Sequence, residues 1–429
     1  MKKEKTVLRI PLFIPIVIGL LIAILLSYVL EVHIISNSAR YTATNASTTE
    51  DGNFEYRQLE DGTIEIIEYV GSDIEVEIPE TIEGKNVTSI ASETFKYCRK
   101  IISIAIPSTI TNIGEDGTFY ECTSLTNIDV DSNNTNFMSE DGILFDREKT
   151  KILRYPLAKT QMEYIIPEGI MNIEIGAFEG CKNLTSVHIP GTVTTIKVDA
   201  FRDCASLRKV TIEEGITTIG PSAFRGCYSL RGINFPESLT EIQSFAFGET
   251  SLKSVEIPKN VILIDNAFCS ATTLTEISVH PNNVEFTSED GILFSKDKTV
   301  IISYPAGKKD TKYTIPDGVI GIGWAAFYGC ENLREIKIPE TVTVISSFAF
   351  YECVGLEKIE IPDSVTVVGR GAFYFCDALQ SIKIGNGVEC IASYAFYCCV
   401  NLYDILISEE VTNIEQYGFG INKIKRAIN

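Results

Sequence analysis

Asp129, Asp131, Asn133 and Glu140 stand at positions 1, 3, 5 and 12 of one stretch, the spacing at which oxygen ligands close round a calcium ion. Asn134 occupies the sixth position, where such a loop needs glycine, and a related segment 149 residues on carries Ser278, His280 and Asn282 instead. An ordinary asparagine-rich loop is the competing reading. Transition-metal chemistry has less to work with, since there is no Cys-x-x-Cys and only His33, His188 and His280 offer imidazoles. No Gly-x-Ser-x-Gly elbow, His-Glu-x-x-His helix, Walker loop or dinucleotide-binding glycine cluster is present. Adjacent carboxylates such as Glu213–Glu214 and Glu409–Glu410 are what a surface of net charge −20 supplies by chance. The expectation is a non-enzyme with no catalytic residues, no metal and no cofactor.

Charged side chains that recur in register are a better basis for binding. Glu335, Lys337, Lys358, Glu360 and Lys383 repeat at a 23-residue interval or two residues off it. On strands spaced by that interval, Glu335 lies beside Lys358, while Lys337, Glu360 and Lys383 alternate along a line. Opposite charges on neighbouring strands stabilise by roughly 0.2–1 kcal/mol per pair, so a solubilising ladder accounts for them. The functional reading is a ligand-facing concave strip. Towards the middle of the chain the strip turns smaller and less charged, with His188, Thr211, Asn234 and Ser254, and no aromatic platform flanks it. Trp324, the one tryptophan, sits in a loop slot beside Ala325 and Ala326, where packing explains it as well as binding does.

The elements that position these residues follow from a period. Phe95, Phe119, Phe178, Phe201, Phe224, Phe247, Phe268, Phe327, Phe350, Phe373, Phe396 and Phe419 are separated by 24, 59, 23, 23, 23, 21, 59, 23, 23, 23 and 23 residues. Such a period means a solenoid, whose units bury their apolar faces only by stacking. In Leu333–Pro339, Leu333, Ile336 and Ile338 alternate with Glu335 and Lys337, the pattern of a half-buried strand that proline stops. Val342, Val344, Ile345, Phe348 and Phe350 suit a second short strand or turn opposite. Each turn thus adds one strand to a long parallel sheet. Cys98, Cys122, Cys181, Cys204, Cys227, Cys330, Cys353, Cys376 and Cys399 share one slot, three residues after the phenylalanine, which marks a packing position. Buried free thiols are expected there, with occasional bridges between turns the alternative.

Two 59-residue gaps imply two inserts of 36 residues, near 131–166 and 280–315. Ser139–Phe145 recurs as Ser288–Phe294 and Tyr155-Pro156 as Tyr304-Pro305. Their Asp-Gly turns and apolar runs predict extra strands, either widening a turn into a binding loop or serving structure alone. Phe54–Tyr69, alternating around Asp61-Gly62, reads as a hairpin within an N-terminal cap over 54–90, and 54–429 as the solenoid. Ser36–Asn53 is polar, which makes 32–53 a flexible linker. Ile10–Leu30 is apolar over 21 residues, preceded by Lys2, Lys3, Lys5 and Arg9 and followed by Glu31. This predicts a cytoplasmic stub and transmembrane signal-anchor over 1–31 with the repeats outside; a cleaved signal peptide, ending near Ser36, Ser38 and Ala39, is the alternative.

The repeat resembles the BspA-like, treponemal-type leucine-rich repeats. Ile361-Pro362, Val365, Val368-Gly369, Ala372-Phe373 and Cys376 reproduce nearly the whole unit of that family, and the resemblance covers about residues 54–429. It implies a mainly β, right-handed leucine-rich repeat solenoid, an exported or surface location, and adhesion or binding of partner proteins. The expected partner is an extracellular protein or glycoprotein. A passive spacer or self-associating coat component is the alternative, and the tail over Ile421–Ile428 either caps the last turn or leaves it open to self-association. Nucleic acid is not expected, because the chain after residue 30 sums to −23. Asn45, Asn86, Asn133 and Asn183 open Asn-x-Ser/Thr sequons, glycan sites only in a eukaryotic secretory pathway.

Overall fold

The computed structural model describes residues 46–420 apart from Asp116 and Glu409. The predicted anchor, most of the linker, Asn45 and the tail after Gly420 lie outside the described residues. Among those described there is no helix long and apolar enough to cross a membrane. They form a β-solenoid with no helix, at the 23-residue spacing of the sequence.

Each regular turn supplies three hydrogen-bonded columns. The first is a strand such as Ser186–Ile189, in parallel register with Lys209–Ile212. The second is a two-residue strand such as Thr195–Ile196, in register with Thr218–Ile219. The third is the loop around the phenylalanine. There the N–H groups of Gly176, Phe178 and Gly180 donate to the carbonyls of Val198, Ala200 and Arg202 in the next turn, at 3.0, 2.7 and 2.8 Å. Reaching those carbonyls requires a left-handed backbone two residues before and two after the phenylalanine, as at Asp199 and Asp203 (φ 55° and 57°). Glycine takes these slots without strain at Gly176 and Gly180.

The core is a stack of fully buried phenylalanines flanked by the slot cysteines. Phe178, Phe201, Phe224 and Phe247 lie face to face with centroids 4.7, 5.1 and 5.3 Å apart. Beside them the Cys204 thiol donates to the carbonyl of Phe178 at 3.1 Å, and Cys227 to that of Phe201 at 3.2 Å. All twelve cysteines are free, nine of them buried. Burial drives the Cys122 thiol up to about 12 and raises those of Cys204, Cys227, Cys330 and Cys376 as well, so these sulfurs stay protonated and unreactive.

The expected long sheet is interrupted. The first column divides into pieces of three, three, two and five strands. At two breaks, Phe137–Glu140, Ile143–Asp146 and Lys151–Arg154, and likewise Phe286–Glu289, Ile292–Ser295 and Val300–Ser303, pair antiparallel and begin an eight-stranded sheet of the second column. Their hairpin tips turn towards the first column, where Ile128 and Ile277 donate to Gly142 and Gly291 at 3.0 and 2.9 Å. The third break falls at 231–235, where no ladder forms.

The middle strand of each ribbon is apolar on both faces because both are covered. Leu144 belongs to the core of residues 54–144, whereas Ile143 and Phe145 belong to the next. Leu293 faces back in the same way, and Ile292 and Phe294 face forward. Each ribbon is therefore a septum, and the two divide the apolar interior into three cores.

Candidate functional site

Alternation places the outward residues of the first column on its solvent side. Glu335, Lys337, Lys358, Glu360 and Lys383 all lie on the five-stranded sheet that runs from Lys312–Thr314 to Asp404–Ile407. Glu335 is in register with Lys358, and Glu360 with Lys383, whereas the ladder ends before Lys337 reaches Glu360. Glu335 is the hub: Lys312 approaches its carboxylate at 2.8 Å and Lys358 at 3.4 Å. The hydrogen bond from Lys312 holds the Glu335 carboxyl below its usual value. Lys337, Glu360 and Lys383 make no ion pair among the described residues. In the middle of the chain His188 meets Glu213 at 3.0 Å.

At the calcium-like spacing the side chains are given other partners. Asp131 is spent on an Asx turn, accepting from the backbone and side chain of Asn133 at 2.8 and 3.0 Å, and Glu140 pairs with Lys149. No group of three or more His, Cys, Asp or Glu that could hold a metal occurs among the described residues. The asparagine standing where calcium loops need glycine has a structural task. Asn134, 1% exposed, donates to the carbonyls of Pro107 and Ile110 and accepts from the N–H groups of Asn136 and Phe137. Asn283 does the same in the second copy. These asparagines fasten each ribbon to the turn before it.

The ribbon turns carry no phenylalanine loop; Tyr155 and Tyr304 stand in the aromatic stack instead, 5.0 and 5.1 Å from Phe178 and Phe327. The first gap in the loop column is filled by buried Arg154, whose guanidinium donates to the carbonyls of Phe119, Gly176 and Glu179. Its counterpart in the second copy is Ser303, and there the flanking loops meet directly: Asn266 donates to the carbonyl of Trp324, and Phe245 contacts Trp324 and Tyr328. Packing accounts for Trp324. Next to Arg154 a pocket of about 230 Å³ is lined by Tyr120, Glu121, Leu157, Glu179, Gly180, Lys182, Asp203, Ala205 and Tyr228. Burial, reinforced by Asp199, pushes the Glu179 carboxyl up to about 7.

An aromatic surface does exist, on the loop column rather than beside the strip. Tyr328, Tyr351, Tyr374 and Tyr397, each one residue after the core phenylalanine, form a half-buried row with centroids 4.6, 5.4 and 5.2 Å apart. Phe348, Phe375, Tyr394 and Tyr417 flank them from the left-handed slots, with φ between 56° and 62°. The 23-residue recurrence of the tyrosines was there to be read; nothing in the sequence alone said that their slot faces outwards.

This architecture is that of a leucine-rich repeat solenoid, a class of binding scaffolds. Residues 47–141, 150–275 and 306–425 match the family described as the BspA type leucine-rich repeat region, and the chain belongs to it. Among solved structures, a leucine-rich repeat protein from Eubacterium ventriosum is 27% identical, with a TM-score of 0.55 over 65% of this chain and 82% of its own. A leucine-rich cell surface protein from Faecalibacterium prausnitzii is 28% identical, with a TM-score of 0.50 over 84% of this chain and 94% of its own. No curated protein matches the sequence. Neither the family nor these neighbours indicate an enzyme.

Proposed function

We propose that the chain is a membrane-anchored surface protein whose solenoid binds an extracellular protein or glycoprotein through the strip Glu335, Lys337, Lys358, Glu360 and Lys383. The observation that carries this reading is the five-stranded sheet, which sets Glu335 beside Lys358 and Glu360 beside Lys383 and leaves Lys337, Glu360 and Lys383 without an ion pair among the described residues. The N-terminal apolar run with its preceding lysines, and the cell-surface description of the Faecalibacterium protein, support the location. On this reading residues 1–31 anchor, 32–53 space, and 54–429 bind.

The test uses the full-length chain captured in detergent micelles and a panel of extracellular-matrix proteins, cell-wall polysaccharides and the chain itself. Saturable binding to a matrix protein, lost when Lys337, Lys358 and Lys383 are changed to Glu, supports adhesion through the strip. Saturable binding to nothing but itself replaces the adhesin with a self-associating coat component.

A further inference from the structure

The aromatic ridge on the loop column is a second surface, and its chemistry differs from that of the sheet strip. Its flanking members occupy positions where the backbone is left-handed, with φ of 56°, 58°, 62° and 58° at Phe348, Phe375, Tyr394 and Tyr417. A left-handed conformation costs a residue bearing a Cβ roughly 1–2 kcal/mol. Elsewhere in the stack the same slots hold Gly117, Gly176, Gly180, Gly226, Gly329 and Gly371, all at positive φ. Each flanking ring recovers about 0.5–1.5 kcal/mol per aromatic contact, for instance Phe348 against Tyr351 at 5.8 Å and Tyr394 against Tyr417 at 5.4 Å. With two contacts each for Phe348 and Phe375 and three for Tyr394, the rings return at least the strain, so an aromatic is held in a slot that glycine fills without strain. What the aromatic adds is half-exposed tyrosine and phenylalanine surface on consecutive turns, the composition of an interface centre.

The electrostatics name the partner. Carboxylates border the ridge. Glu352 occupies the left-handed slot after Phe350 (φ 55°), and its N–H donates to the carbonyl of Tyr374 at 2.9 Å. The N–H of Glu331 donates to the carbonyl of Gly329 at 2.8 Å and that of Asp377 to the carbonyl of Phe375 at 3.0 Å. Burial and the charges of Glu249 and Glu331 raise the Glu352 carboxyl, and Arg225 opposes them. Asp377 acts on Cys398, which bonds to Tyr374. Where the chain has its own cations within reach, the loop aromatics take them: Arg225 lies over Phe245 at 5.4 Å, Arg370 over Tyr394 at 5.5 Å and Lys96 over Tyr97 at 5.6 Å. No cation lies over the rings of Tyr328, Tyr351, Tyr374 and Tyr397 among the described residues; Arg225 acts on Tyr328 only from the end of the row.

We infer that the ridge Tyr328, Tyr351, Tyr374 and Tyr397, with Phe348, Phe375 and Tyr394, is a docking surface for an arginine- and lysine-rich protein segment. The cations meet Glu331, Glu352 and Asp377, and their aliphatic stems lie along the tyrosine edges. Neutral glycans and acidic proteins lack the charge that this border selects.

The fold supplies its own test, because glycine at a left-handed slot erases the ring while relieving the backbone. The triple variant Phe348→Gly, Phe375→Gly, Tyr394→Gly keeps every charge, and its folding is checked by circular dichroism. A deca-arginine peptide is titrated by calorimetry into the full-length chain, this variant, Glu331→Lys/Glu352→Lys, and Lys337→Glu/Lys358→Glu/Lys383→Glu. The expected result is a tenfold or greater loss of affinity in the glycine and Glu→Lys variants and none in the strip variant. Equal affinity for the glycine variant and the parent would reduce the binding to attraction by a chain of net charge −20 and overturn the proposal. Ridge-dependent binding of a neutral cello-oligosaccharide with no response to deca-arginine would also overturn it, making the ridge a glycan platform.

Discussion

Replacing Asn283 with alanine removes four hydrogen bonds at one buried side chain. Its amide donates to Pro258 and Val261 at 2.8 and 2.9 Å, and its oxygen accepts from the N–H groups of Glu285 and Phe286 at 2.9 and 2.8 Å. A net contribution of about 0.5–1.5 kcal/mol per bond gives about 4 kcal/mol, and water entering the vacated site lowers that to roughly 2–4. Asn283→Asp sharpens the test. Aspartate keeps the oxygen that serves the two N–H groups but turns a second oxygen towards two carbonyls, so it should destabilise at least as much as alanine. Guanidinium unfolding followed by circular dichroism and tyrosine fluorescence measures both. A loss below about 1 kcal/mol in Asn283→Ala, or an Asn283→Asp as stable as the parent, would refute the clasp as an energetic element.

Four further outcomes are expected. Phe224→Ala, inside the stack of six rings from Tyr155 to Phe268, should cost about 3–5 kcal/mol by the same measurement. Leu293→Asp puts a charge at the septum between two cores, and calorimetry should show one of the cooperative transitions lost while the N-terminal core still melts as in the parent. The Glu179 carboxyl, near 7 in the fold and lower when unfolded, contributes stability below its unfolded value that disappears as pH rises through 7; Glu179→Gln should therefore gain about 1–3 kcal/mol at pH 8 and little at pH 4. The Cys122, Cys204, Cys227, Cys330 and Cys376 thiols titrate higher in the fold than unfolded because they are buried, so stability should fall as pH rises above about 9, and a thiol reagent at pH 8 should quickly label only Cys98, Cys390 and Cys398, which are not buried.

The solenoid was legible because its signal is a period, and a period survives the loss of any single residue. The core slots of Leu333, Ile336 and Ile338 and the Glu335–Lys358 register follow from 23-residue arithmetic, and both are as the arithmetic requires. What the period could not show is what happens where it breaks. Asn134 reads as a failed calcium loop until the carbonyls of Pro107 and Ile110 come within its reach. Ile143-Leu144-Phe145 reads as one more strand, because an all-apolar triplet does not reveal that its two faces belong to different cores. Arg154 looks like a surface residue, and only the missing loop beside it explains its burial. The ridge was overlooked for another reason: a half-exposed tyrosine one residue after a core phenylalanine looks like core until the left-handed turns show which way it points.

The bonds of the loop column have an electrical consequence. The peptide group joining Ala200 to Phe201 accepts from Phe178 and donates to Ala223, and the next one, Ala223 to Phe224, accepts from Phe201 and donates to Ala246, every link 2.7 Å long. Peptide dipoles thus add head to tail along the stack as they do in an α-helix, although no helix occurs among the described residues, and polarised chains of this kind strengthen each link. The carbonyl end of each run is its negative pole. Arg154 sits at that pole, its guanidinium on the carbonyl of Glu179, whose peptide partner Gly180 donates to Arg202 and so begins a parallel run. A solenoid built only of strands and turns has in this way acquired the polarity of a helix, and it seats a cation where a helix would.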